Sequence, residues 1–390
     1  MNDERVYLDH AASAPLRRSA AEAMVAAMAI TGNPASLHTS GRRARALLED
    51  AREDVADALG AHPTEVVFTS GGSEADSIAV LGGLRARRAE RPRVVAGATE
   101  HPAVVGVIAE VPGASLAPVD SDGRVELAAL AALLGDDVGV VSVQVVNNET
   151  GTVQPLDEIA EACRRHVAWF HTDAVQAPGH VAFDFSASGA DLASVSAHKA
   201  GGPVGIGALL MRRDVRLPAY GLGGGQEGGV RSGTQAVLLA MGFAAALREA
   251  VTGLPAEAAR LAALRTRLAV GILEQVGAVT VNGGAAVSPA ILNVTIEGTR
   301  ADDVLLLLDR EGVDASTGSA CRAGVHQPSE VLLAMGRSVG EAGASVRFSL
   351  GHTTRPDDVD RLLAVLPGAV TTARAASGAS SGEPRRRGER

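Results

Sequence analysis

Residues 137–146 read DVGVVSVQVV, a nearly continuous apolar run. A strand with one side in water alternates apolar and polar residues, and this run does not. It predicts a central strand covered on both faces, the signature of a largely parallel sheet with helices packed above and below. Shorter strand-like runs at 65–69, 93–96, 167–171, 192–196 and 206–211 alternate with helical stretches at 20–30, 42–59, 102–110 and 155–165 and one from residue 74. The expected class is therefore α/β.

After residue 234 the pattern turns helical, through 236–251 and 257–276. A second, smaller α/β unit follows, with strands at 290–296 and 345–350 and helices at 301–310 and 356–366. The change of unit falls near 255–265. The last stretch, AASGASSGEPRRRGER, is Ser/Gly-rich and then Arg-rich, and is expected to be a solvated, disordered tail.

Composition excludes several functions. A formal net charge of −9 argues against a nucleic-acid-binding surface, and 2% aromatic residues against stacking platforms for bases. No stretch reaches the roughly 18 apolar residues of a membrane-spanning helix. The charged start, MNDERVYLDH, lacks the apolar core of a signal peptide. Two cysteines, Cys163 and Cys321, make no disulfide framework, so a reducing cytoplasm is expected. No His, Cys or carboxylate spacing points to a metal site.

One count points to chemistry. Among 36 Lys and Arg residues, Lys199 is the only lysine. Arginine does not shed its proton near neutral pH, whereas a desolvated amine does and becomes a nucleophile. Lys199 ends a predicted strand in SAHKAGG, among small and apolar neighbours, with Ser196 and His198 on the same turn. This favours Schiff-base chemistry over a solvated surface lysine.

Four further features fit that reading. The strand–SGGS–helix passage at 65–80 brings backbone N–H groups to a helix N-terminus that suits an anion, although an ordinary glycine turn reads the same way. Asp173 and Gln176 follow a predicted strand in HTDAVQ. A carboxylate there either pairs with a protonated ring nitrogen or caps the next helix. His101 either faces a planar ring or starts a helix. Cys321 lies among small residues in STGSACRAG, beside Arg322, which favours thiolate. Cys163, in EIAEACRR, reads as a buried structural residue.

Taken together, the motifs YLDHAASAP, GNPASLHTSGR, FTSGGSEAD, TEHPAV, NNETGTVQP, HTDAVQAPG, SAHKAGGPVGIGAL, GGGQEGGVRSGT, STGSACRAG and VRFSLGHTTRPDDVD resemble those of the cysteine desulfurases. That group lies within the class V aminotransferase family of fold-type I pyridoxal phosphate enzymes. The resemblance spans roughly residues 6–368 and is nearest the iron–sulfur-assembly branch in its actinobacterial form. It implies a large cofactor-binding domain at 16–258, a small domain at 1–15 and 259–372 carrying the Cys321 loop, and a tail at 373–390.

It also implies site roles. Lys199 would carry pyridoxal 5'-phosphate through a Schiff base. Gly72, Ser73, Ser196 and His198 would hold the phosphate, with Thr234 reaching it from the other subunit of a homodimer. Asp173 would pair with the ring nitrogen, Gln176 and Asn148 would meet the ring hydroxyl side, and His101 would stack on the ring. Arg347 would hold the substrate carboxylate, helped by Asn148, and Cys321 would be the nucleophile. The implied reaction converts L-cysteine to L-alanine and leaves a persulfide for an iron–sulfur scaffold or a tRNA-thiolation enzyme. Selenocysteine lyase, another β-eliminating lyase and a weakly catalytic sulfur-transfer scaffold are the alternatives. Gly228 stands where the family motif usually has Arg, and Ser77 where Asn is common.

Overall fold

The computed structural model describes residues 5–318 and 327–380. Short apolar runs form a seven-stranded sheet in the spatial order Val66–Thr69, Gly207–Met211, Leu192–Ser196, Trp169–Asp173, Val138–Ser142, Arg93–Gly97 and Ser115–Ala117. Only the two pairings of Gly207–Met211 are antiparallel, so the sheet is mostly parallel as expected. The other strands therefore end at one edge, where open α/β sheets hold their ligands.

Successive side chains of each strand feed opposite faces. Phe68, Val195 and Leu210 join Leu48 and Val55 of the helix Thr39–Leu59 and Phe243 and Leu247 of the helix Val237–Thr252. Val67, Leu192 and Leu209 join Ile78 and Ala79 of the helix Gly72–Arg87. Burial on both faces explains the continuous apolar reading of the central strands.

Two expected strands end elsewhere. The run 137–146 is a strand only over Val138–Ser142. Val143 and Val145 still donate to the carbonyls of His171 (3.0 Å) and Asp173 (2.8 Å), and then the chain turns. Asn147 Oδ1 accepts from the N–H groups of Glu149 and Thr150, each at 2.8 Å. The strand expected at 167–171 lies at Trp169–Asp173, because His166 caps the preceding helix and Val167 takes a left-handed φ of 54°. This shift makes Asp173 the last residue of its strand.

A second apolar cluster surrounds a three-stranded antiparallel sheet, Ser345–Ser349, Ile291–Ile296 and Val279–Asn282. Leu261, Leu268 and Ile272 of the helix Leu254–Gln275 cover it, with Val304 and Leu308 of Ala301–Arg310. The Val6–Tyr7 strand pairs with Val313–Asp314 beside it. The helices Val237–Thr252 and Leu254–Gln275 meet at 71°, one packed in each cluster. Among the described residues no single helix is long and apolar enough to cross a membrane.

The closing helix corrects the sequence reading. It runs Pro356–Ser380, not 356–366, so the first residues of the expected disordered tail are helical. Ala369, Val370 and Ala373 are buried in the second cluster, and the Ala-rich TTARAAS suits a helix. That packing carries the helix past Pro367. Residues 381–390 lie outside the described residues.

Candidate active site

The carboxyl ends of the strands open into a cavity of about 260 Å³. Its lining includes Gly72, Ser73, His101, Asn148, Asp173, Gln176, Ser196, His198 and Lys199. Nine candidates drawn from five separate stretches of sequence are thus brought together. Thr234 is not among the lining residues; it is exposed on the 220–235 segment. Arg347 lies beyond the lining, on the Ser345–Ser349 strand. Cys321 lies outside the described residues.

At one side, the 16-residue helix Gly72–Arg87 begins against the cavity with no side-chain cap at Gly71. Its first-turn N–H groups and positive dipole end suit an anion. A Cβ on Gly72 would come within 2.6 Å of Val175 Cγ2, so the backbone approaches as closely as it does only because a glycine stands there.

Across the cavity, Lys199 leaves the short turn after Leu192–Ser196. Its Nζ donates to the carbonyls of Ala11 (2.6 Å) and Ala12 (2.9 Å). Burial pulls its pKa down to about 8, helped by the nearby Arg347 charge and opposed by Asp173 and Asp9. A useful fraction of neutral amine therefore exists near neutral pH. Gln176 Nε2 donates to the same Ala11 carbonyl at 2.9 Å.

Asp173 accepts from the N–H of Val175 at 2.8 Å, closing a turn and not capping a helix. Burial raises its pKa, while His101, the Val175 bond and Lys199 hold it down. Asp76, fully buried four residues into the same helix, lines the cavity as well. Burial and the neighbouring Asp173 push its carboxyl well above the usual range. Within this pair the upward push is the stronger on Asp76, because His101 and Lys199 hold Asp173 down. Sequence reading missed Asp76; the signal was its position three after Ser73, which turns both toward one helix face.

His101 takes the helix-start role: its Nδ1 accepts from the N–H of Ala103 at 3.1 Å at the head of Pro102–Ala109. That bond fixes Nδ1 as the unprotonated nitrogen, and burial lowers the ring's pKa. The imidazole still lines the cavity, so capping and ring-facing are compatible. His198 meets Ser13 Oγ at 3.3 Å, and burial with Lys199 brings it down to about 4. Cys163 is buried in Leu156–Arg165 and pushed up to about 12, as a structural thiol should be.

Arg347 is 3% exposed. Its Nη1 donates to the Asn148 carbonyl at 2.8 Å and its Nη2 to Asp9 Oδ1 at 2.6 Å. Glu149, next in the turn, is also buried and accepts from Ser329 Oγ at 2.5 Å.

An uncapped helix end for a phosphate, a lone amine for a Schiff base and a buried carboxylate for a cationic ring nitrogen form one donor set. These residues fit pyridoxal phosphate.

The fold and this site define a class V aminotransferase-type enzyme, and the comparisons agree. A family model described as aminotransferase class-V matches residues 6–362, and the chain belongs to that family. It is 48% identical over 393 residues to an IscS-like cysteine desulfurase of Mycobacterium tuberculosis, covering 97% of this chain and 100% of the relative. The actinobacterial source of that relative fits the branch expected from the motifs. It is 38% identical to the cysteine desulfurase NifS of Azotobacter vinelandii, covering 95% and 93%. The structure of a NifS-like protein from Rickettsia africae superposes with a TM-score of 0.87 at 29% identity, covering 94% of this chain and 100% of the other.

Proposed function

We propose that this chain is a pyridoxal-phosphate-dependent cysteine desulfurase. The observation that carries the reading is that its only lysine shares one cavity with a buried carboxylate and an uncapped helix end.

Gly72, Ser73, Ser196 and His198 would hold the phosphate, and Asp173 the ring nitrogen. Bound there, the ring supplies an electron sink for charge at the substrate's α-carbon. Arg347 and Asn148 orient L-cysteine by its carboxylate, and Gln176 and His101 flank the ring. Lys199, with its lowered pKa, accepts the α-proton and returns it. The Cys321 thiolate attacks the substrate sulfur: the S–S bond forms and the Cβ–S bond breaks. The electron pair stays on the carbon skeleton, which is protonated and leaves as alanine, while Cys321 keeps the persulfide.

The domain division expected from the motifs suits this scheme, with the cofactor site in 16–258 and the thiol on the smaller unit. A homodimer is part of the proposal. Leu37 and Leu222 are large apolar side chains standing exposed, and Thr234 is exposed on the segment that also carries Leu222. A second copy would cover these side chains and bring Thr234 to the neighbouring phosphate site. A persulfide carrier needs a reducing compartment, which favours the cytoplasm and an iron–sulfur scaffold or tRNA-thiolation enzyme as sulfur acceptor.

The test is the product pair. With L-cysteine and a reductant, the cofactor-loaded enzyme should release alanine and sulfide in equal amounts. Pyruvate in place of alanine would instead mean an eliminating lyase.

A further inference from the structure

The segment 8–13 holds both cations that the proposed function assigns to the substrate. The Ala11 and Ala12 carbonyls accept from Lys199, and the Asp9 carboxylate accepts from Arg347 at 2.6 Å. The segment is itself pinned. Leu8 N–H donates to Asp314 O (2.9 Å), Ser349 N–H to Leu8 O (2.8 Å), and Tyr7 Oη to Ser13 O (2.7 Å). Asp9 is therefore not a loose surface acid that drifted onto an arginine.

The guanidinium has three directions. Nη1 is committed to the Asn148 carbonyl, Nη2 to Asp9, and Nε is buried with no hydrogen-bond partner among the described residues. A buried N–H without a partner is costly and calls for an explanation. An incoming carboxylate would supply one, but it must share the guanidinium with a carboxylate already there. Like charges on one cation oppose each other.

We infer that Asp9 is a positioning and specificity residue for the amino-acid carboxylate: it aims Arg347 and competes with the substrate for it. The competition weakens ligand binding at the carboxylate and does not act on the ligand's amine directly. Asp9 also lies within electrostatic reach of Lys199, whose charged form it favours. The charged groups facing Asp9 are thus Arg347 and Lys199, with Tyr7 alongside. This inference rests on Arg347 as the carboxylate anchor.

The experiment compares two ligands on the cofactor-loaded, full-length enzyme by absorbance titration: L-alanine, and ethylamine, which has the amine and no carboxylate. Any change at Lys199 affects both, so the ratio of their dissociation constants reports the carboxylate alone. Asp9→Asn keeps an oxygen acceptor for Nη2 and removes the charge. It should tighten alanine relative to ethylamine about threefold to tenfold. Asp9→Ser, a second charge-removing variant, should move the ratio the same way. Arg347→Gln should weaken alanine and spare ethylamine. A ratio unmoved in Arg347→Gln overturns the anchor assignment, and this inference with it. A working anchor together with an unmoved or reversed ratio in Asp9→Asn and Asp9→Ser overturns the role of Asp9 alone.

Discussion

Arg347 and Ser316 exchange backbone hydrogen bonds, Arg347 N–H to Ser316 O at 2.6 Å and Ser316 N–H to Arg347 O at 3.2 Å. The chain leading into the Cys321 segment is thereby tied to the strand that carries the guanidinium. On the far side, Ser329 is tied to Glu149, the neighbour of Asn148. Both attachments of the segment lead back to residues that adjoin the cavity.

The Ser329 attachment has a stability consequence. Its Oγ donates to the buried Glu149 and accepts from the N–H of Leu332, capping the helix Glu330–Ala334. Ser329→Ala removes the cap and strips a buried carboxylate oxygen of its partner. The expected loss is about 2 kcal/mol, read as a lower urea midpoint with an unchanged slope.

The segment bearing Thr234 is anchored by a buried ion pair. Arg52 Nη1 and Nη2 meet Glu227 Oε2 and Oε1 at 2.8 and 3.0 Å, and Phe68 N–H donates to the same carboxylate at 2.8 Å. Glu227 also adopts a left-handed φ of 45°, which the pairing maintains. Glu227→Ala leaves the buried Arg52 with only the half-exposed Glu49 (3.0 Å from Nε) as a carboxylate partner, and strips the Phe68 N–H of its acceptor. A loss of about 3–5 kcal/mol is expected. A change within 1 kcal/mol in urea unfolding would contradict the assigned role.

Lys199 makes stability depend on pH in cofactor-free protein. Its pKa is about 8 folded against 10.5 in an unfolded chain. Between those values the unfolded chain binds more protons, so stability rises with pH across the window. Below it, the full penalty of a buried charge stands; above it, none remains. Lys199→Met should therefore be more stable than wild type at neutral pH, with the gap closing from about pH 8 to 10.5. Urea midpoints across that range check this, and a gap independent of pH would contradict it.

Much of this was legible in the sequence. Apolar runs located the strands, because strands buried on both faces have no polar side to blur them. Lys199 stood out because every other basic residue is arginine. Other contributions left no local trace. Ala11 and Ala12 act through backbone carbonyls, which any residue possesses. Asp9 meets Arg347 across 338 positions, so neither residue's surroundings announce the other. The helix past Pro367 was hidden for a different reason. Proline and the Ser/Gly-rich end read as a stop, while burial of Ala369, Val370 and Ala373 against distant residues carries the helix on.

The most informative measurement is alanine formation from L-cysteine by cofactor-loaded Cys321→Ser beside wild type, with the absorbance change on cysteine binding followed in both. If the thiol takes the sulfur, the variant keeps the absorbance change and loses alanine formation by about 100-fold or more. Alanine and sulfide formed by the variant at the wild-type rate would contradict a persulfide on Cys321.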